Sequence, residues 1–457
     1  MKIVIVGDGK VGGTLAEQLS LEGHDITIID NNAERRHSSS DILDIMSVTG
    51  NGATFSTQIE AGVDKADLLI AATSADEVNM MCCLVAKKAG AKHTIARVRN
   101  PEYAEELQLF RDDLGLSMAV NPELACATEM ARLLRVPSAI KVDTFARGRA
   151  ELLKIRLSGN SPLVNHTPQE LSAKNYNVLI AAVERGEQNI YIPDGSFRFQ
   201  TGDRLSIAAK PADAAKFLKR VGIAAEPIHN VMIVGGGRIA YYLVKQLLEF
   251  HNNVKIIDSN LDRCRQLAEL LPQATIIHGD GTDQQLLEEE GLVRMDAFLS
   301  MTGIDEENIL LSLFAKRNSH AKIVTKINQP AFLSILDNID LGSTFSPRYI
   351  AAESILRYVR GMQNSYGSKV ETLYQIVGGK AEALEFRVCA NSPLCGKQLM
   401  DLQFKKNLLI CCINHQGKII IPGGQDRIYP DDTVVVVTTN TGLGELEDIL
   451  EKKEVEP

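Results

Sequence analysis

Two short glycine turns in this chain are built to hold a phosphate, and each is followed by an acid placed to hold a ribose. The first reads Gly7-Asp8-Gly9-Lys10-Val11-Gly12 and follows the apolar run 3–6; Asp30 closes the next apolar run, 18 residues after Gly12. The second reads Gly235-Gly236-Gly237-Arg238-Ile239-Ala240, with Asp258 at the same distance from Ala240. In such a turn the first glycine permits a tight bend, the second lets phosphate reach the backbone, and the third lets helix and strand pack closely. Free N–H groups at the helix start then face the anion. The acid accepts hydrogen bonds from ribose hydroxyls and repels a 2′-phosphate.

The two turns keep one offset: 235 − 7 = 228 and 258 − 30 = 228. A period this long marks a duplicated domain, since solenoid repeats run about 20–50 residues. Other polar positions repeat with it. Asn51, between Gly50 and Gly52, answers to Asp280, between Gly279 and Gly281, and either side chain is placed to meet an adenine edge. Thr73-Ser74 answers to Thr302-Gly303. Arg97 and Arg99 end a strand whose second copy carries Lys326 and Asn328. Arginine is the better bidentate phosphate donor, so the first site is expected to hold phosphates more tightly.

Strands are predicted at 3–6, 26–29, 68–71 and 94–98, with helices at 10–21, 33–45 and 76–89 and a further helix opening at Asn121-Pro122. Strands alternating with helices imply a doubly wound parallel sheet. Beyond Pro137 the pattern becomes a small α+β unit: strands at 151–157, 178–184 and 204–209, a short helix at 167–173 and a turn at 191–195. That unit also recurs. Ser161-Pro162-Leu163 returns as Ser392-Pro393-Leu394, Ile192-Pro193 as Ile421-Pro422, and Asp203 is matched to Asp431. The expected fold is thus α/β in tandem: two Rossmann-like N-lobes (1–122 and 228–347), each followed by a small α+β C-lobe (138–224 and 367–454).

Composition narrows the function. At 457 residues the chain is too long for one core. A net charge of −9, no tryptophan and 5% aromatics argue against a nucleic-acid partner. No run approaches the roughly 18–20 apolar residues of a bilayer span. Residues 1–7 read as a strand entering a glycine turn rather than a signal peptide. The eight cysteines include no CxxC, which points to reduced thiols in a cytosolic protein. No histidine is paired with an orienting carboxylate beside the glycine turns, so the expectation is a sensor and not an enzyme.

Gly7 to Ala16, the stretch Ala72-Thr73-Ser74-Ala75-Asp76-Glu77-Val78-Asn79-Met80 and the repeated Ser-Pro-Leu and Ile-Pro motifs together resemble the TrkA family. These are regulators of Trk potassium uptake built from two RCK units, and the resemblance covers essentially the whole chain. It implies a homo-oligomeric ring, dimers assembling into a tetramer, docked on the inner face of the membrane beneath a separate potassium-translocating subunit. It implies NAD(H) or ATP/ADP as ligand, bound in the first site by Gly7, Asp8, Gly9, Lys10, Val11, Asp30, Thr73, Ser74 and Arg97. The second site would use Gly235, Gly236, Gly237, Arg238, Ile239, Asp258 and Asp280. The acid spacing is the dinucleotide pattern, which favours NAD(H). Two other readings stand beside this one. One is an NAD-dependent oxidoreductase. The other is a C-lobe receptor for a cyclic dinucleotide using Arg185 and Arg198, or Lys418 and Arg427.

Overall fold

A computed structural model describes the chain except residues 33–44, 104–105, 107–110, 112, 173–175, 187–188, 224–225, 330–340, 365–369, 377–380, 441–442 and 452–457. The expected helix at 33–45 therefore lies almost wholly outside the described residues.

The chain divides into two units. One comprises residues 1–131 and 229–356, the other 132–228 and 357–457. The four lobes are thus grouped by type, N-lobe with N-lobe and C-lobe with C-lobe. Of the three boundaries, two fall inside helices, Pro122–Arg135 and Pro347–Asn364, and the third lies between residues 228 and 229.

In the first N-lobe, β1 (Lys2–Val6), β2 (Asp25–Asp30), β3 (Met46–Thr49), β4 (Leu68–Ala71), β5 (His93–Arg97) and β6 (Met118–Val120) form one sheet. Its order is β3-β2-β1-β4-β5-β6 and every pairing is parallel. This is the dinucleotide-fold order, whose crevice lies where strand order reverses, between β1 and β4. Ile3 to Val6 and Leu68 to Ala71 are fully buried, as central strands covered on both faces must be. The second N-lobe repeats the sheet with β12 (Asn230–Val234), β13 (Asn253–Asp258), β14 (Thr275–His278), β15 (Ala297–Ser300), β16 (Lys322–Lys326) and β17 (Ser343–Phe345), in the equivalent order.

The lobes of this unit meet through Tyr242, whose ring is buried. Its hydroxyl accepts from Asn121 Nδ2 at 2.9 Å and donates to the Arg99 carbonyl at 3.1 Å. The sequence suggests packing for Tyr241 and Tyr242; the bonds across to the first lobe are an added finding.

The C-lobes are five-stranded antiparallel sheets. The first comprises β7 (Lys141–Phe145), β8 (Ala150–Arg156), β9 (Val178–Arg185), β10 (Asn189–Tyr191) and β11 (Arg204–Ala209), ordered β10-β9-β11-β8-β7. The second has β18 (Val370–Ile376), β19 (Ala381–Arg387), β20 (Leu408–His415), β21 (Lys418–Ile420) and β22 (Thr433–Thr438), in the matching order. One apolar cluster joins them, with Leu152, Ala181 and Ala182 against Ala383, Cys411 and Val435.

The pairing of Asp203 with Asp431 is corrected by one residue. Asp203 and Asp432 are the buried pair, accepting from the Gln200 and Tyr429 N–H groups respectively. Asp431 instead takes the place of Gly202, and both have positive φ.

All eight cysteines are free thiols. Burial pushes Cys82 and Cys412 up to about 12 and raises Cys83, Cys126 and Cys411 further. A thiolate is needed for alkylation. Iodoacetamide at pH 8 is therefore expected to label exposed Cys389 in the native protein, Cys395 slowly, and the rest only in denaturant. Mass mapping of the label checks this, and native labelling of Cys82 or Cys411 would contradict the packing described.

Candidate functional site

The crevice of the first N-lobe is a cleft of about 440 Å³, walled by Gly7, Gly9, Lys10, Val11, Asp30, Asn51, Thr73, Ser74 and Arg97 among others. That is within the size range of small-molecule sites. Gly7 has φ +100° and lies where a Cβ would press on the Ala72–Thr73 peptide at 3.1–3.2 Å. At Gly12 a Cβ would stand 1.8 Å from the Gly7 carbonyl oxygen. At Gly9 it would meet no protein atom within 4 Å, so this side of the turn is open to a ligand.

The helix Lys10–Leu21 starts from Gly9 with no side-chain cap and no acid in its first turn. Its first N–H groups are thus left for an incoming anion. Asp30 stands across the turn. Its Oδ2 accepts the Asp8 N–H at 2.7 Å and its Oδ1 accepts the Asn32 N–H at 2.8 Å. These bonds fix the carboxylate and leave each oxygen a second lone pair for a ribose hydroxyl. Asp8 itself contributes its backbone N–H; its side chain is not among the cleft walls. Asn51 lines the cleft while its Oδ1 accepts from the Ala53 N–H at 3.0 Å.

Arg97 is the main cationic feature. Its side chain is only 18% exposed, and its nearest carboxylate, Glu123, is 3.7 Å away. Its Nε is buried without a hydrogen-bond partner. Burial pushes the guanidinium below its ordinary range; Glu123 and Asp76 act against that, while Arg99 and Arg238 add to it. A buried, underpaired guanidinium on a cleft wall has donors to offer an anion that enters the cleft. Arg99, by contrast, is spent on the fold: its Nε reaches Asp76 at 3.5 Å and its Nη2 donates to the Ser74 carbonyl.

Asn79 organises these groups, though the sequence reading assigned it no role. Fully buried, it accepts from the Thr73 N–H (2.8 Å) and hydroxyl (2.7 Å) and donates to the carbonyls of Arg97 (2.9 Å) and Thr73 (3.3 Å). It ties the ends of β4 and β5 together. Asp76 does the same for the next loop, accepting the Arg99 and Asn100 N–H groups at 2.7 Å. Asn308 and Asp305 repeat both roles in the second lobe. Their shared offset, 308 − 79 = 229 and 305 − 76 = 229, was the signal available in the sequence.

The second turn keeps the frame and changes the surroundings. Gly235 has φ +100°, and Gly237 precedes the uncapped helix Arg238–Glu249, within which Ile239 is buried. Asp258 accepts the Gly236 and Asn260 N–H groups at 2.7 and 2.8 Å. However, Arg263 lies over the turn, with Nε donating to the Gly236 carbonyl at 2.6 Å and Nη2 to that of Gly237 at 3.3 Å. Lys326, at the Arg97 position, donates to the Thr302 carbonyl at 2.8 Å. Asp280 is engaged by the Thr282 N–H and hydroxyl, which lower its pKa. The polar groups of the second site are therefore more fully occupied by the protein itself.

In the C-lobes, Arg185 is held by Asp203 through two bonds of 2.8 Å and lies 4.9 Å from the centre of the Phe197 ring. Arg198 and Arg427 donate to the Asn165 and Gly396 carbonyls. These arginines serve the local fold.

Comparison with known proteins adds the following. The TrkA-N domain model matches residues 3–122 and 231–347, and the TrkA-C domain model matches 152–222 and 383–451. A "Trk system potassium uptake protein TrkA homolog" of Archaeoglobus fulgidus is 34% identical over 98% of this chain and 100% of its own length. TrkA of Halomonas elongata is 32% identical over 95% of each chain. Among solved structures, the GsuK channel bound to NAD has a TM-score of 0.63 at 18% identity, covering 96% of this chain and 77% of its own. The GsuK RCK domain has a TM-score of 0.62 at 18% identity, over 96% and 92%. At that identity the likeness concerns the fold.

Proposed function

This chain belongs to the TrkA family, and from that premise we propose that it is the nucleotide-sensing regulatory component of a Trk-type potassium-uptake system. It acts on a separate potassium-translocating membrane subunit, as a homo-oligomeric ring on the cytoplasmic face. Among the described residues no helix is long and apolar enough to cross a membrane, so ion movement needs that partner. The observation that carries the reading is the first cleft. An uncapped helix N-terminus, Asp30 and the underpaired Arg97 converge there, which is binding chemistry.

Lys10, Val11, Thr73 and Ser74 complete the proposed first site, with Asn51 beside the base. Gly235, Gly236, Gly237, Arg238, Ile239, Asp258 and Asp280 form the second. NAD(H) is the preferred ligand and ATP or ADP the alternative; GsuK, which shares the fold, is known bound to NAD and bound to ADP. A ligand shifts a conformational equilibrium only by its differential affinity for the two states. Gating therefore requires that one nucleotide favour the ring shape that opens the membrane subunit.

Thermal unfolding of the native chain with NAD⁺, NADH, NADP⁺, ATP and ADP tests this. A ligand at 100 times its Kd adds about 2.7 kcal/mol. We expect stabilisation by NAD(H) or an adenine nucleotide, none by NADP⁺, and loss of the effect in Asp30→Ala with a smaller change in Asp258→Ala. Stabilisation by no nucleotide sinks the sensor reading. Turnover of NADH with a small substrate would replace it with the oxidoreductase one.

A further inference from the structure

In the first cleft, the loop that carries Asn51 is held from behind by a side chain that does not line the cleft. Gln58, on the helix Phe55–Glu60, is fully buried. Its Nε2 donates to the Gly52 carbonyl at 2.7 Å and to the Cys82 carbonyl, on the helix Asp76–Ala89, at 2.9 Å. Both partners are acceptors, so the amide nitrogen must face them. Its Oε1 is then left buried with no hydrogen-bond partner.

The clasp has a specific target. The Gly52 carbonyl and the Ala53 N–H belong to one peptide unit, which is planar and turns as a body. The Ala53 N–H donates to Asn51 Oδ1 at 3.0 Å, so Gln58 and Asn51 grip opposite ends of that peptide. The loop has no slack on its inner side, where a Cβ on Gly52 would stand 2.2 Å from Val6 Cγ1. The orientation of the Asn51 amide in the cleft is therefore set through this peptide by Gln58. Asn51 Nδ2 makes no hydrogen bond among the described residues, and Oδ1 keeps a second lone pair.

The second lobe shows that the fold does not need an amide here. At one offset Gly281 answers to Gly52 and Leu287 to Gln58 (281 − 52 = 229; 287 − 58 = 229). Leu287 is fully buried in an apolar cluster, and a Cβ on Gly281 would lie the same 2.2 Å from Val234 Cγ1. The Asp280 side chain is held there by Thr282, through its N–H and its hydroxyl. An amide with an unsatisfied oxygen is costlier in a core than a leucine. The contribution of Gln58 thus lies in what it holds.

Resting on the nucleotide reading of the first cleft, we propose that Gln58 is a positioning residue that aims the Asn51 amide at the base and makes this site selective for adenine. An amide matches the adenine edge in both directions, donating to N7 and accepting from the 6-amino group. Hypoxanthine carries an oxygen in place of that amino group, which sets acceptor against acceptor. Once the Gly52–Ala53 peptide is released from Gln58, the Asn51 amide turns freely and the distinction fades.

The test is calorimetric titration of the full chain carrying Asp258→Ala, so that the first site reports. The ligands are NADH and its hypoxanthine analogue, and ADP and IDP. With Gln58 in place, the adenine member of each pair should bind at least about fivefold tighter, as bidentate reading of a base gives. In Gln58→Leu, the side chain the second lobe uses, and in the unbranched Gln58→Met, that preference should shrink to about twofold or less. The loss should fall on the adenine ligands, with the hypoxanthine ones near their native affinity. Asp30→Ala should weaken both members of a pair together and keep their ratio. Native preference retained in either Gln58 variant, with a melting curve showing it folded, overturns the proposal. Equal binding of both bases by the chain with Gln58 intact also overturns it, while leaving the nucleotide reading in place. Binding of none of the four ligands removes that reading, and this inference with it.

Discussion

Asn79→Leu is expected to cost the first unit about 3 kcal/mol or more of folding stability and to remove nucleotide binding at Asp30. Leucine keeps asparagine's branching and number of side-chain heavy atoms, but it is bulkier and has no polar atoms. The change leaves the Thr73 N–H and the carbonyls of Thr73 and Arg97 without their partner in a fully buried position. An unsatisfied buried backbone group costs about 1–3 kcal/mol, so three of them exceed what most single substitutions do. A unit of this size should melt roughly 6–12 °C lower. The binding defect has a geometric cause: Thr73 and Arg97 are cleft walls, and Asn79 sets the spacing of the strands that end in them. Asn308→Leu is the control. It breaks the same bonds in the second lobe, so it should lower stability to a similar extent while leaving affinity at Asp30 within a few-fold. A melting point for Asn79→Leu within 2 °C or so of the native value would show that water replaces the amide and that the hub is dispensable.

Asn79 also shows where sequence reasoning stopped. The glycine turns and their acids were legible because each residue type is demanded by local backbone geometry, which any copy must respect. The helices at Lys10–Leu21 and Asp76–Ala89 emerged with the expected ends, since apolar periodicity and a terminal glycine mark them. Short edge strands such as β6, β7 and β10 were not read. Three to five residues give too little periodicity, and only pairing with a neighbour makes them strands. The roles of Arg97 and Arg99 were likewise inseparable from spacing alone. They lie two residues apart, yet one is left underpaired on the cleft wall and the other is consumed by Asp76 and Ser74. Arg263, which covers the second glycine turn, comes from the helix Leu261–Leu270; its position there depends on how that helix packs against β13 and β14.

The double replacement Arg97→Gln/Glu123→Gln should separate binding from stability. Arg97 and Glu123 are 18% and 15% exposed and 3.7 Å apart, a distance too long for a good ion pair. Arg97 Nε and Glu123 Oε2 each lack a hydrogen bond. Taking both charges out of water costs several kcal/mol per ion before relaxation, and such loose geometry returns only part of it. Removing Arg97 alone strands the Glu123 carboxylate, so Arg97→Gln should be destabilised by about 3–5 kcal/mol. Removing both charges should restore the melting point to the native value or above it. Nucleotide affinity should follow the other pattern, falling roughly 10- to 150-fold in both variants, because a charged hydrogen bond to phosphate contributes about 1.5–3 kcal/mol. Melting curves with and without ligand on the three proteins read both quantities. If the double variant regains affinity along with stability, Arg97 is a structural cation. If stability returns while affinity stays lost, the strain around this guanidinium is the cost of keeping a phosphate site ready before the ligand arrives.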